Sequence, residues 1–330
     1  MPSPQVSVII PTYNRIARIK RVVEALERQT YPREAFEIIV VSDGSTDGTD
    51  DFLRSIAALG RLKPIFQPNG GPAVARNTGI RAAIGDLIVF IDDDVVPAPG
   101  FLRAHVEIHG AASREVAAIG PLLTPKDVRL SPWIEWEQAM LEKQYEAMAE
   151  GKWCPTARQF YTGNASIKRE LLVAVGGFDE KFRRAEDVEL AYRLAERGIG
   201  FIFSLEPAAY HYAERSFASW MATARAYGRN DAIFARDRGQ DWLIPTVREE
   251  FRLRKRPLRI FITACLKSKP LAGLGLASMR GVAAAAGWSG LRKIAGAAYS
   301  AVFGLAYYQA FVEELGEPDL LFRQPSPRPL

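Results

Sequence analysis

Residues 86–99, DLIVFIDDDVVPAP, run from a short apolar segment straight into three consecutive carboxylates. Leu87 to Ile91 has the length and the β-branched and aromatic content of a buried strand, so Asp92, Asp93 and Asp94 stand at a strand's carboxyl end. In open α/β sheets that edge is where ligands bind. Three adjacent negative charges are costly there unless a cation offsets them. Oxygen ligands on a turn suit a hard divalent ion, Mg²⁺ or Mn²⁺, which keeps some waters and completes its shell from phosphates. A solvated acidic loop is the plainer reading of an isolated triplet, and the neighbouring stretches decide between the two.

Working outward, Val6 to Ile10 reads as a first strand, Pro11-Thr12-Tyr13-Asn14-Arg15 as its loop, and Ile16 to Arg28 as a helix, with Ile19, Val22, Val23 and Leu26 at helical spacing. Phe36 to Val41 is a second strand ending in Ser42-Asp43-Gly44, and Phe52, Leu53 and Ile56 mark a further helix. Lys63 to Gln67 is a short third strand followed by Asn69-Gly70-Gly71-Pro72 and a helix carrying Arg76. Paired glycines let backbone approach a ligand, and the helix start behind them offers amide donors. Repeated strand-loop-helix units require a mainly parallel sheet with right-handed crossovers. They bring Pro11–Arg15, Asp43, Gly70–Arg76 and Asp92–Asp94 to one edge.

The stretches VSVIIPTYNR, VVSDGSTDGT, NGGPAVARNTG and VFIDDD resemble the successive nucleotide-sugar motifs of family 2 glycosyltransferases. So do Thr162-Gly163-Asn164-Ala165-Ser166, Gly176-Gly177-Phe178-Asp179-Glu180 and Ala185-Glu186-Asp187-Val188-Glu189-Leu190, and the likeness covers about Val6 to His211. One departure is Ser42, where the family often has a first acid before Asp43.

The resemblance implies an α/β, GT-A-type, Rossmann-like fold with a mainly parallel sheet flanked by helices. Residues 1–110 would form the donor-binding half and 111–215 the acceptor and catalytic half, with a helical appendage over 216–330. It implies metal-dependent, inverting transfer of a sugar from a nucleoside-diphosphate sugar, a UDP-sugar first, to a hydroxyl of a glycan, lipid-linked or other acceptor. Pro11, Thr12, Tyr13, Asn14, Asp43, Gly70, Gly71, Arg76, Asp92 and Asp93 would hold the donor. Asp94, Asp92 and His211 would hold Mg²⁺ or Mn²⁺. Asp187 would be the general base with Glu186 beside it, and Gly163, Asn164, Trp133 and Trp136 would face the acceptor. Without that resemblance, Asp43 before Gly44 reads as a turn residue, and Glu186-Asp187 as acids favoured in any first helical turn.

Composition bounds the rest. The chain has 330 residues, 48% of them hydrophobic, and a net charge of +5, which permits anionic partners without choosing one. Cys154 and Cys265 are far apart, so neither a disulfide framework nor a cysteine zinc site is indicated, and a reducing cytoplasm fits. The opening MPSPQVSVIIPTYNR lacks the parts of a signal peptide, so the expected location is cytoplasmic, with a peripheral site at the membrane's inner face allowed. His105 and His109 are four apart on a helix, a spacing that could serve a metal, but HVEIH lacks the order of a zinc-protease motif.

Beyond His211, Phe217 to Ala235 reads helical and Arg248 to Lys269 is basic. Ile294 to Val312 is an uncharged run that just reaches bilayer-spanning length. A segment lying on an anionic leaflet suits the surrounding basic residues better. Packing on the catalytic domain or on a second subunit, as in a homodimer, is the competing account. Residues 322–330, with three prolines, read as a loose tail. Nucleotidyltransfer and a non-catalytic nucleotide-sugar-binding scaffold are the alternative functions. The first generally needs a glycine-rich loop where PTYNR stands, and the second would be expected to lose the acids retained here. Nucleic acid is not an expected partner, because the basic stretch lacks interleaved aromatics.

Overall fold

The computed structural model describes residues 5–212, 215–317 and 319–322. The tail read over 322–330 therefore lies, from 323 on, outside the described residues. In chain order the elements are β1 (Val6–Thr12), α1 (Ile16–Glu27), β2 (Phe36–Asp43), α2 (Thr49–Ala57), β3 (Lys63–Gln67), α3 (Pro72–Ala82), β4 (Leu87–Ile91), β5 (Val95–Pro97), α4 (Phe101–Ala111), β6 (Val116–Ile119) and β7 (Leu122–Leu123). They continue as α5 (Pro132–Ala149), β8 (Asn164–Lys168), α6 (Arg169–Ala174), α7 (Glu186–Glu196), β9 (Gly200–Phe203), β10 (Ala209–His211), α8 (Phe217–Asp237), α9 (Leu243–Leu253), α10 (Arg256–Leu266), α11 (Lys269–Trp288) and α12 (Arg292–Leu315).

The chain divides into two compact units, 1–129 with 138–213, and 130–137 with 214–330. In the first, a seven-stranded sheet has the order β3-β2-β1-β4-β8-β6-β9. β1 pairs parallel with β2 and β4, β2 with β3, and β6 with β9, whereas β8 runs antiparallel to both β4 and β6. The sheet is thus mainly parallel, as the strand-loop-helix rhythm requires. Every residue of β4 is buried, which explains its unbroken apolar reading. Ile19, Val22, Val23 and Leu26 of α1 pack with Val8, Ile10, Val40 and Val89 in one core, so helical periodicity on α1 meets alternate residues of the strands.

The small strand β5, which follows the acids directly, was not foreseen. It joins β10 and β7 in a three-stranded sheet. Antiparallel pairing of β10 with β5 sets His211 opposite Val95, and the Tyr212 N–H donates to the Asp94 carbonyl at 2.9 Å.

In the second unit α8 and α12 lie against each other so closely that a Cβ on Gly228 would come within 2.0 Å of the Tyr307 carbonyl oxygen. Ala298, Ala301, Val302, Leu305, Tyr308 and Phe311 of α12 are buried. This corrects the reading of 294–312 as a segment for the bilayer surface: its uncharged face is the core of a helical unit. Among the described residues no helix is long and apolar enough to cross a membrane.

Candidate functional site

Thr12, Asp43 and the acidic turn all stand at the carboxyl ends of parallel strands, and β8 begins there because it runs the other way, with Asn164 opposite Ile91. The Thr12 hydroxyl donates to Asp93 Oδ2 at 2.7 Å. Asp94 Oδ2 accepts from Arg18 Nη1 at 3.0 Å, and its Oδ1 is 3.5 Å from His211 Nε2. Burial pushes Asp93 up to about 7; the Thr12 bond opposes this, and the charges of Asp94 and Asp92 add to it. Burial also works against Asp94, but the His211 contact, then Arg18 and Arg15, hold it below the usual carboxylate range. One acid of the triplet is therefore kept charged and its neighbour is driven towards neutrality.

Asp43 is buried and holds the glycine loop. Its Oδ1 accepts from Gly70 N–H at 2.9 Å and from Gln67 Nε2 at 2.7 Å, while Oδ2 accepts from Gly71 N–H at 2.8 Å. Those two amide donors are thus spent on Asp43. Asn14 ties the first loop to the second: its Oδ1 accepts from Thr46 N–H at 2.7 Å, and its own N–H donates to Ser45 Oγ at 3.0 Å. Pro11 is half-buried within β1, and the Tyr13 ring is 49% exposed, open for stacking.

Arg76, buried on α3, joins the acidic turn to the start of α7. Its Nη2 donates to Asp92 Oδ1 at 2.8 Å and its Nη1 to Glu186 Oε1 at 2.6 Å. Burial disfavours the guanidinium charge, but Asp92, Glu186 and Asp187 outweigh it, so the cation is retained. Asp187 is half-buried, with Oδ1 accepting from Val188 N–H at 2.9 Å. Burial first, and the charge of Glu186 next, push its pKa up to about 7, although Arg76 pulls the other way. Among the described residues the non-glycine positions with positive φ are Asn14 (53°) and Ala185 (59°). Both flank this site, where left-handed backbone on a residue with a Cβ costs on the order of 1–3 kcal/mol.

The residues expected to face an acceptor fare differently. Gly163 does border the acids, since a Cβ there would lie 3.2 Å from Asp92 Oδ2. Asn164 is instead fully buried, donating through Nδ2 to the carbonyls of Pro121 (2.9 Å) and Pro207 (2.7 Å). With both amide protons committed, its Oδ1 accepts from His105 Nε2 at 3.0 Å; His105 Nδ1 then accepts from Ser166 Oγ at 2.9 Å, and Ser166 Oγ accepts from His109 Nε2 at 2.9 Å. Burial brings His105 down to about 3, so the ring is neutral, as this order requires. The histidine pair is a core network against β8 and not a metal site. Trp133 and Trp136 belong to the second unit: Trp133 donates to the Arg215 carbonyl and packs edge-on against Phe217, and Trp136 packs edge-on against Trp220. Arg18 was missed, because an arginine on an amphipathic helix carries no signal of its partner. Asn77, buried on α3, was missed as well, although it stands in the quoted motif beside Arg76.

A divalent cation can be fitted to Asp94 and His211, whose facing oxygen and nitrogen at 3.5 Å could share one ion. Asp92 turns to Arg76 instead. Among the described residues no group of three or more His, Cys, Asp or Glu side chains is gathered for a metal, so most of the shell would come from phosphate and water.

The sequence model described as Glycosyl transferase family 2 matches residues 7–176. Validoxylamine A glucosyltransferase of Streptomyces hygroscopicus subsp. jinggangensis is 32% identical over 228 residues, covering 62% of this chain and 54% of that protein. Pre-mycofactocin glycosyltransferase of Mycobacterium tuberculosis is 29% identical over 243 residues, 70% of this chain and 47% of that protein. The chain thus spans about half the length of the curated relatives it matches. Among solved structures, the mannosyltransferase PcManGT from Pyrobaculum calidifontis, in complex with GDP-Man and Mn²⁺, aligns with a TM-score of 0.63 at 24% identity, covering 94% of this chain and 87% of that one. TarS of S. aureus aligns at 0.53 with 19% identity, covering 93% of this chain and 55% of that one. These likenesses show the fold, the GT-A-type arrangement.

Proposed function

Since this chain belongs to glycosyl transferase family 2, we propose that its acidic edge moves a sugar, with inversion, from a nucleoside-diphosphate sugar to an acceptor hydroxyl. The observation that carries the reading is the Arg76 bridge, which ties Asp92 of the donor edge to Glu186 beside Asp187. Donor and base are thereby held in one frame.

The donor lies over the strand ends, with its base against Tyr13 and the loops pinned by Asn14 and Asp43, and with its sugar towards Asp92. Asp94 and His211 would hold Mg²⁺ or Mn²⁺, which when bound would supply Lewis-acid neutralisation of the leaving diphosphate. Asp187 takes the proton of the acceptor hydroxyl as that oxygen bonds to the anomeric carbon and the bond to diphosphate breaks. A carboxylate near 7 suits that task at neutral pH. Glu186 serves less well as the base because its Oε1 already accepts from Arg76. Arg76 orients Glu186 and Asp92 and keeps the excess of negative charge from unfolding the site. UDP-sugars are the first donors to examine.

The test is a panel of UDP- and GDP-sugars scored for turnover with Mg²⁺, Mn²⁺ or EDTA. Metal-dependent turnover of one donor, abolished in Asp94→Ala, is expected. Equal turnover in EDTA, or in Asp94→Ala, would remove the metal from the account.

A further inference from the structure

The net charge of +5 conceals a strong asymmetry. Residues 251–312 hold ten Lys and Arg and no Asp or Glu, so the remainder of the chain is net −5. The same stretch carries much of the exposed apolar surface: Leu253 (76% exposed), Ile260, Leu271, Leu274 (68%), Val282, Trp288 (93%), Leu291 and Ile294. These residues are ordered by the helices. On α11, Leu271, Leu274, Val282 and Trp288 fall within about a third of the helix circumference. On α10, Arg256, Ile260 and Ala264 share one exposed face. The junction of α11 and α12, Trp288-Ser289-Gly290-Leu291-Arg292-Lys293-Ile294, is exposed throughout and combines three large apolar residues with two basic ones.

An isolated exposed leucine needs no explanation, but eight exposed apolar residues in an acid-free basic stretch do. We propose that α10, α11 and the 288–294 junction form a docking surface for an anionic phospholipid bilayer. Trp288, Leu291 and Ile294 enter the headgroup boundary while Arg292, Lys293 and Arg256 meet phosphate and carboxylate heads. Charge complementarity selects this occupant. A second copy meeting the same helices would set two copies of this basic stretch against each other, a like-charge contact that a two-fold interface does not relieve. The site takes in only the exposed first turn of α12, whose remaining apolar face is already buried against α8, and it is independent of the glycosyl-transfer reading.

The test is flotation of the full chain with phosphatidylcholine vesicles, with and without phosphatidylserine, at low and at about 1 M salt. The chain floats with serine-containing vesicles at low salt and is released by high salt. Arg292→Gln and Lys293→Gln each lower partitioning about fivefold on those vesicles. Trp288→Ser lowers it about tenfold or more; because Trp288 is almost wholly exposed, the variant keeps the wild-type circular dichroism and melting temperature. Failure of the wild type to float with anionic vesicles at low salt would overturn the proposal. So would undiminished flotation of Trp288→Ser, or a dimer in sedimentation that Trp288→Ser abolishes while vesicles remain unbound.

Discussion

Arg76 and Asp187 contribute to the fold with opposite signs. Replacing Arg76 by leucine strands Glu186, and with it Asp92, without the cation that compensates them. Breaking a buried pair from one side costs about 3–5 kcal/mol, so urea unfolding of Arg76→Leu should show a loss of that order. For Asp187 the folded-state pKa of about 7 lies above the ordinary 3.8. The folded chain therefore holds a proton that the unfolded chain releases, and stability falls as pH rises from about 4 to 7. Asp187→Asn removes that loss. The variant should melt higher than wild type at about pH 8, with the difference gone at about pH 4. The acidic triplet was legible because apolar strand and charge meet abruptly there. Asn164, Trp133 and Trp136 were not, because an amide in a motif or an indole on a helix reads the same whether it faces a ligand or its own core.

At the scale of elements, the site depends on how α3 and α7 grip the segment between β8 and α7. Asn77 of α3 accepts the Phe178 N–H at 2.8 Å and donates to the Phe178 carbonyl at 2.9 Å. Arg193 of α7 donates to the carbonyls of Val175 (2.6 Å) and Gly177 (2.8 Å). Gly177 has φ +70°, and a Cβ on it would meet Asn77 Oδ1 at 2.5 Å. Gly177→Ala should accordingly cost about 1–3 kcal/mol in thermal unfolding and lower transfer by loosening α7. An unchanged melting temperature would mean that the clamp is slack. The parallel strands were legible nearly to the residue: Lys63 to Gln67 and Leu87 to Ile91 stand as read, and β1 and β2 each run two residues further, to Thr12 and Asp43. Short β5 and β10, which bring His211 to Asp94, were hidden because three residues carry no period.

For the whole molecule, composition announced basicity but not its placement. The +5 is the balance of an acid-free helical region against an otherwise acidic chain. Periodicity cannot distinguish a helix buried in protein from one lying in lipid, which is why 294–312 pointed to a bilayer while the exposed apolar residues lie mostly before it. For the first unit the proposal is that donor binding at the strand ends and proton removal at Asp187 are separate functions joined by Arg76. Donor affinity by calorimetry and transfer rate, both measured on Asp187→Asn with its active donor, test that directly. The account predicts a transfer rate lowered about 10²–10⁴-fold with donor affinity close to wild type. Full transfer activity in Asp187→Asn would contradict it and place the base elsewhere.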